Sequence, residues 1–146
     1  MPNESIIALD LEGTLISNAV SQFARPGLFK YLSWCKDYFE EVYIYSAVRD
    51  SKCHEIVYNL VSRNLAPKWL EDTQFIQWDR KFKDLANIAG ATIEDCLIVD
   101  DNRDYILDDQ IHQWIKIKKW SPPYSDTDRE LERVQEIIEA RLAHTP

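Results

Sequence analysis

Asp10 and Glu12 stand two positions apart at the end of the apolar run Ile6-Ile7-Ala8-Leu9, with Gly13-Thr14 directly behind them. A short continuous apolar run bounded by a turn signal reads as a buried strand of a parallel sheet. Strand alternation sends positions 10 and 12 to one side, so two carboxylates leave the strand end together. Gly13 lets the backbone turn sharply after them. Comparable groups recur down the chain. Ser46 ends the run Val42-Tyr43-Ile44-Tyr45, Lys81 and Lys83 lie near an expected helix start, and Asp100-Asp101 ends the run Cys96-Leu97-Ile98-Val99. An open α/β sheet places its chemistry at the carboxyl ends of its strands. Acids, a hydroxyl and cations gathered there are the side chains of nucleophilic attack, proton transfer and counter-charge.

Taken singly, these signals have plainer readings. Ser46 suits a strand-end turn, the two lysines suit a solvated helix face, and Asp100-Asp101 suits a helix cap. His54, His112 and His144 share no metal-ligand spacing. The chain has no nucleophile-elbow motif, no P-loop and no GxGxxG.

The elements that must hold these groups follow from periodicity. Leu15 to Arg25 is a short connection, and Pro26 opens a helix whose apolar face is Leu28, Leu32, Cys35 and Phe39. After the strand ending at Ser46, a second helix starts near Asp50 or Ser51, either of which suits a cap. Its buried stripe is Cys53, Ile56, Val57 and Leu60. Asn64 to Asp72 reads as a loop, Thr73 to Trp78 as a short strand, and Lys81 to Ala89 as a helix with Phe82, Leu85, Ala86 and Ala89 inward. Trp114 to Lys119 alternates with lysines on one side, as a protected edge strand does. Thr127-x-x-Glu130 is a capping box for a C-terminal helix over about 127–143, with Leu131, Val134, Ile138 and Leu142 on one face. Strands alternating with helices predict an α/β fold with a parallel sheet and right-handed crossovers. The whole chain, 1–146, is expected to form one domain.

Composition narrows the function classes. The 45% hydrophobic and 29% charged content belongs to an ordinary globule. A net charge of −8 argues against a nucleic-acid backbone as partner. The apolar runs are too short to span a bilayer, and Met-Pro-Asn-Glu-Ser carries no signal-peptide core. Cys35, Cys53 and Cys96 have no CxxC spacing and sit in apolar contexts, which predicts buried reduced thiols and a cytoplasmic setting.

Read in order, the groups resemble the motifs of the haloacid dehalogenase superfamily. Asp10-x-Glu12-x-Thr14 resembles its first motif, Ser46 its second, Lys83 or Lys81 its third and Asp100-Asp101 its fourth. Arg25-Pro26-Gly27-Leu28, Lys83-Asp84-Leu85 and Ile98-Val99-Asp100-Asp101 resemble the NLI-interacting-factor-like branch, which includes phosphatases of the RNA polymerase II tail. The Lys-Asp-Leu match favours Lys83 over Lys81. One position departs from the branch pattern, which usually has Asp where this chain has Glu12. Enolase-phosphatases of the same superfamily carry Asp-Ile-Glu-Gly-Thr.

The resemblance implies a Rossmann-like sheet and a Mg²⁺-dependent phosphomonoester hydrolase. Asp10 would form an aspartyl-phosphate, and Glu12 would act as general acid and base. Ser46 and Lys83 would hold the phosphoryl oxygens. Asp10, the backbone carbonyl of Glu12, and Asp100 or Asp101 would bind Mg²⁺. The intervals Asp10–Ser46 and Ser46–Lys83 leave no residues for a cap domain, so an open site and a phosphoprotein or other bulky phosphoester are expected. Trp120, Pro122, Pro123 and Tyr124 would form its rim, with packing of Trp120 under the C-terminal helix as the alternative, and Arg49 would meet a neighbouring anion. The alternatives are a catalytically silent binding module on the same fold and a nucleic-acid 3′-end phosphatase.

Overall fold

The computed structural model describes residues 4–144, so Met1 to Asn3 of the N-terminal reading and the last two positions of the expected domain lie outside the described residues. Four strands form one parallel sheet: β1 (Ile6–Leu9), β2 (Glu41–Ile44), β3 (Cys96–Asp100) and β4 (Trp114–Lys116), in the order β2-β1-β3-β4. β1 is central, with Leu9 opposite Ile44 on one side and Val99 on the other. The functional strand ends therefore lie level with one another. The expected parallel α/β sheet is present.

Alternation divides the core between two faces. Ile7, Leu9, Leu97 and Val99 pack with the apolar stripes of α1 (Leu28–Tyr38), α2 (Asp50–Ser62) and α3 (Glu130–Ala143). Ile6, Ala8, Cys96 and Ile98 pack with Tyr45, Leu85, Ile88 and Ile106. That second face is covered by loops and 3₁₀ turns, not by an α-helix. β4 is an edge strand as expected, with Ile115 and Ile117 buried and Lys116 and Lys118 exposed.

Several local expectations are corrected. Lys81–Ala89 is not a helix. It is extended up to a single 3₁₀ turn at Leu85–Asn87, capped by the Asp84 side chain accepting from Ala86 N. The Lys83 amide donates to the Tyr105 carbonyl at 2.8 Å, a partner that a helix would not offer. Phe82, Ala86 and Ala89 are exposed, while Lys83, Leu85 and Ile88 face inward. Thr73–Trp78 is reduced to one bridge between Phe75 and Ile44, and the Asn64–Asp72 loop contains a 3₁₀ turn at Lys68–Asp72. Arg49, with no side-chain cap, precedes α2 where Asp50 or Ser51 was expected to cap. The capping box is absent as well: Thr127 N bonds Ser125 Oγ, and Glu130 N bonds Asp128 Oδ2 instead.

Candidate active site

Asp10 leaves β1 with its amide still paired to the Val99 carbonyl at 3.0 Å, which fixes the carboxylate at the sheet edge. Its two oxygens have different partners. Lys83 Nζ donates to Oδ1 at 2.9 Å, and Thr14 Oγ1 donates to Oδ2 at 2.8 Å. The same ammonium donates to Asp100 Oδ2 at 2.5 Å. Lys83 is almost wholly buried and lies 4.9 Å from the Tyr105 ring centroid and 5.8 Å from that of Trp78. Lys83, not Lys81, is thus the lysine brought to the strand ends; Lys81 is exposed.

Asp101 completes the acidic group. Oxygens of Asp10, Asp100 and Asp101 all lie within 4.8 Å of one another. The close approach of Asp101 requires Gly13. A Cβ on Gly13 would stand 2.8 Å from Asp101 Oδ2, and Gly13 adopts φ +75, which side-chain-bearing residues rarely take.

Burial sets the electrostatics. Desolvation pushes the Asp10 carboxyl up to about 7, against the pull of Lys83. It pushes Asp100 up to about 6, helped by the neighbouring Asp10 charge. Lys83 lies above its usual range, because the Asp10 and Asp100 carboxylates outweigh the desolvation of its ammonium. Three converging carboxylates opposed by one ammonium form a hard-oxygen donor set short of positive charge. That is the chemistry a Mg²⁺ ion fits. The Glu12 carboxylate is not in this cluster.

The Glu12 Oε2 accepts instead from Ala19 N at 2.7 Å. β1 ends at Leu9, so strict alternation does not carry through to position 12. Both acids nevertheless line one cleft of about 460 Å³, together with Ser46, Asp101, Tyr105, Lys119 and Tyr124. Ser46 is buried and lines the cleft, with its Oγ accepting from Val48 N at 3.0 Å.

The rim differs from expectation at Trp120, Pro123 and Arg49, none of which lines the cleft. Trp120 is buried, with Nε1 on the Ser125 carbonyl and its ring 5.1 Å from Tyr124; Pro122 and Tyr124 form the wall it supports. Arg49 is exposed and does not line the cleft. The cation that does is Lys119, which alternation marked as a sheet-protecting lysine. Its place three residues after the end of β4 was the signal available. Asn18, Ser17 and Tyr105 were also missed, since they lie in segments without periodicity.

Carboxylates at the ends of β1 and β3, a buried lysine between them and a strand-end serine define a site of the haloacid dehalogenase type. The model of the NLI interacting factor-like phosphatases matches residues 5–145. The chain belongs to that family. A similar solved structure is that of the fission yeast RNA polymerase II CTD phosphatase Fcp1-R271A bound to beryllium fluoride, at TM-score 0.56 and 14% identity, covering 97% of this chain. This chain spans about half, 51%, of that one. No curated protein matches it.

Proposed function

We propose that the chain hydrolyses phosphomonoesters through an aspartyl-phosphate on Asp10. The observation that carries this reading is the orientation of Asp10. Each of its oxygens is held by a separate donor, Lys83 or Thr14, where Asp10 lines the cleft. A nucleophile held in one orientation has already met much of the entropic cost of attack. In the first step an Asp10 oxygen bonds to phosphorus, the ester P–O bond breaks, and Glu12 gives its proton to the leaving oxygen. In the second, Glu12 takes a proton from water, the water oxygen bonds to phosphorus, and the bond to Asp10 breaks. Phosphate and both carboxyl groups are regenerated. Ser46 and Lys83 supply donor and positive charge to the phosphoryl oxygens. Asp10, Asp100 and Asp101 would hold Mg²⁺, which supplies positive charge against the repulsion between carboxylate and phosphoryl group.

The substrate in this reading is a bulky phosphoester such as a phosphoprotein. The polypeptide between Asp10 and Lys83 is taken up by the 15–24 loop, α1, β2, α2 and the stretch after it, so this interval contributes no cap domain. The neighbouring structure is of a CTD phosphatase, which points the same way. Acid-lined walls with Lys119 as the one cation among the described residues lining the cleft count against a nucleic-acid end. No described helix is long and apolar enough to cross a membrane. Three free, buried cysteines suit the reducing cytoplasm.

The test is turnover of phosphopeptides and small phosphate esters with and without Mg²⁺, by wild type and Asp10→Asn. The amide is a far poorer nucleophile, so the folded variant should fall to the uncatalysed rate, and phosphopeptides should be the better substrates. A folded Asp10→Asn protein retaining most of the wild-type kcat removes Asp10 as nucleophile. A wild type inactive on every ester leaves the silent binding module.

A further inference from the structure

Glu12 carries one more rotatable bond than the aspartate usual at its position in this family. A longer acid needs something to hold its head, and the structure shows what does so. Its Oε2 accepts from Ala19 N at 2.7 Å. Ala19 belongs to a tight turn built around Asn18, whose Oδ1 accepts from Val20 N and Ser21 N, both at 2.8 Å. Gln22 N closes the turn on the Asn18 carbonyl at 2.9 Å, with Gln22 itself at φ 54. The base of the turn is shut by Ser17, whose amide bonds the Phe23 carbonyl and whose Oγ accepts from Phe23 N.

This turn is also tied across the cleft. Asn18 Nδ2 donates to the Tyr124 hydroxyl at 3.0 Å. Tyr124 lies 106 residues away in sequence, in the segment between β4 and α3. Its ring packs edge-on against Phe23 at 5.9 Å and against Trp120 at 5.1 Å. Tyr124 holds φ 52, and its amide bonds the Ser121 carbonyl at 2.9 Å.

We infer that Asn18 and Tyr124 are positioning residues for Glu12, acting through the Ala19 amide and touching neither phosphorus nor the leaving group. This rests on the proposed role of Glu12 as acid and base. The Ala19 amide occupies Oε2, so in this reading Oε1 is the oxygen that exchanges the proton. A turn held in one conformation at both ends keeps Oε1 at a fixed reach from the leaving oxygen. Glu12 thereby works at a position that a shorter acid usually fills. If the turn loosens, the acid is misplaced while Asp10, Lys83 and Asp101 stay where they are.

That selectivity gives a readout which general destabilisation would not. A general acid matters for a poor leaving group and little for a good one. Asn18→Ala and Tyr124→Phe are compared with wild type on an alkyl phosphate and on p-nitrophenyl phosphate; Tyr124→Phe keeps the ring and removes only the hydroxyl. Each variant should lose about tenfold in kcat/KM on the alkyl ester and less than about threefold on the nitrophenyl ester, since kcat/KM stops at formation of the aspartyl-phosphate and excludes its shared hydrolysis; melting temperatures are checked alongside. Val20→Ala, on the same turn with Val20 91% exposed, should change neither ratio. Glu12→Gln is the reference and should show the largest selective loss. If Glu12→Gln loses both esters equally, or if the wild type turns over neither, the proposed role of Glu12 fails and the positioning role with it. If Glu12→Gln is selective while Asn18→Ala and Tyr124→Phe reduce both esters in equal proportion or not at all, the positioning role alone is overturned.

Discussion

Replacing Arg25 with alanine should cost about 3 kcal/mol of stability, although Arg25 is not among the groups proposed to touch the phosphate. Its side chain is fully buried, and each of its nitrogens donates to oxygen. Nε and Nη2 bond the two Asp128 oxygens at 2.7 and 3.1 Å. Nη1 bonds the Gly13 and Thr14 carbonyls at 3.1 and 3.2 Å, and Nη2 bonds the Lys118 carbonyl at 2.7 Å. One guanidinium thus joins the loop after β1, the end of β4 and the start of α3. Removing one partner of a buried ion pair typically costs about 3–5 kcal/mol, because the remaining charge is left without compensation. The Asp128 side chain is 15% exposed, so water partly replaces the lost donor and places the cost at the lower end. For a chain of this size, about 3 kcal/mol corresponds to roughly 6–12 °C in Tm. Urea denaturation supplies the free energy directly, and Arg25→Ala/Asp128→Ala completes a double-mutant cycle. The exposed pair Arg129–Glu132 is the internal control, worth about 0–1 kcal/mol. Should Arg25→Ala destabilise no more than Arg129→Ala, the frame argument fails. Should the cycle show no coupling, the carbonyl bonds rather than Asp128 carry the effect.

Two other outcomes follow from the cleft. Burial raises the Asp10 and Asp100 carboxyls to about 7 and about 6 from 3.8, so their contribution to folding is fully present below about pH 4 and is lost as pH rises through 6–7. Mg²⁺, which needs both groups ionised, should therefore raise Tm more near pH 8 than near pH 5; Asp101→Ala should shrink that rise, and a Mg²⁺ shift independent of pH or of Asp101 would move the metal elsewhere. Lys119 lines the cleft and is exposed, so Lys119→Ala should raise KM by up to about fivefold with little change in kcat. An unchanged KM would remove it from substrate binding.

How far the sequence reveals this arrangement depends on whether neighbours in the chain or neighbours in space decide the conformation. Ile6–Leu9 and Cys96–Val99 are buried on both faces, so an unbroken apolar run is their natural signature, and the acids behind them mark the strand ends. The stripes of α1, α2 and α3 are equally legible, because each packs one face on the sheet. The stretch 73–89 is not, because remote partners satisfy its backbone. Tyr45 OH donates to the Asp84 carbonyl, and buried Gln110 accepts from Leu85 N at 3.0 Å while donating to Asp84 Oδ1 at 2.7 Å. No spacing within 73–89 encodes a glutamine that lies 25 residues beyond Leu85. The capping box misleads for a related reason. Asp128, drawn in by Arg25, offers its carboxylate to the first turn of α3 in place of Thr127.

The same contrast explains why the third motif can be found in the sequence although its surrounding helix is absent. A lysine that must neutralise two buried carboxylates needs a long reach into the core, and it needs its backbone turned away from regular pairing. In the extended stretch before the 3₁₀ turn, Lys83 points inward between exposed Phe82 and half-buried Asp84. Tyr105 holds its amide with a backbone carbonyl and lies beneath its ammonium with a ring. A helix through 81–89 with Phe82, Leu85, Ala86 and Ala89 inward would turn Lys83 to the outer face, away from Asp10 and Asp100. The charge balance of the site thus dictates the local backbone. Two buried acids, one on β1 and one on β3, require a cation between them, and the chain gives up a helix on the second face of the sheet to deliver it.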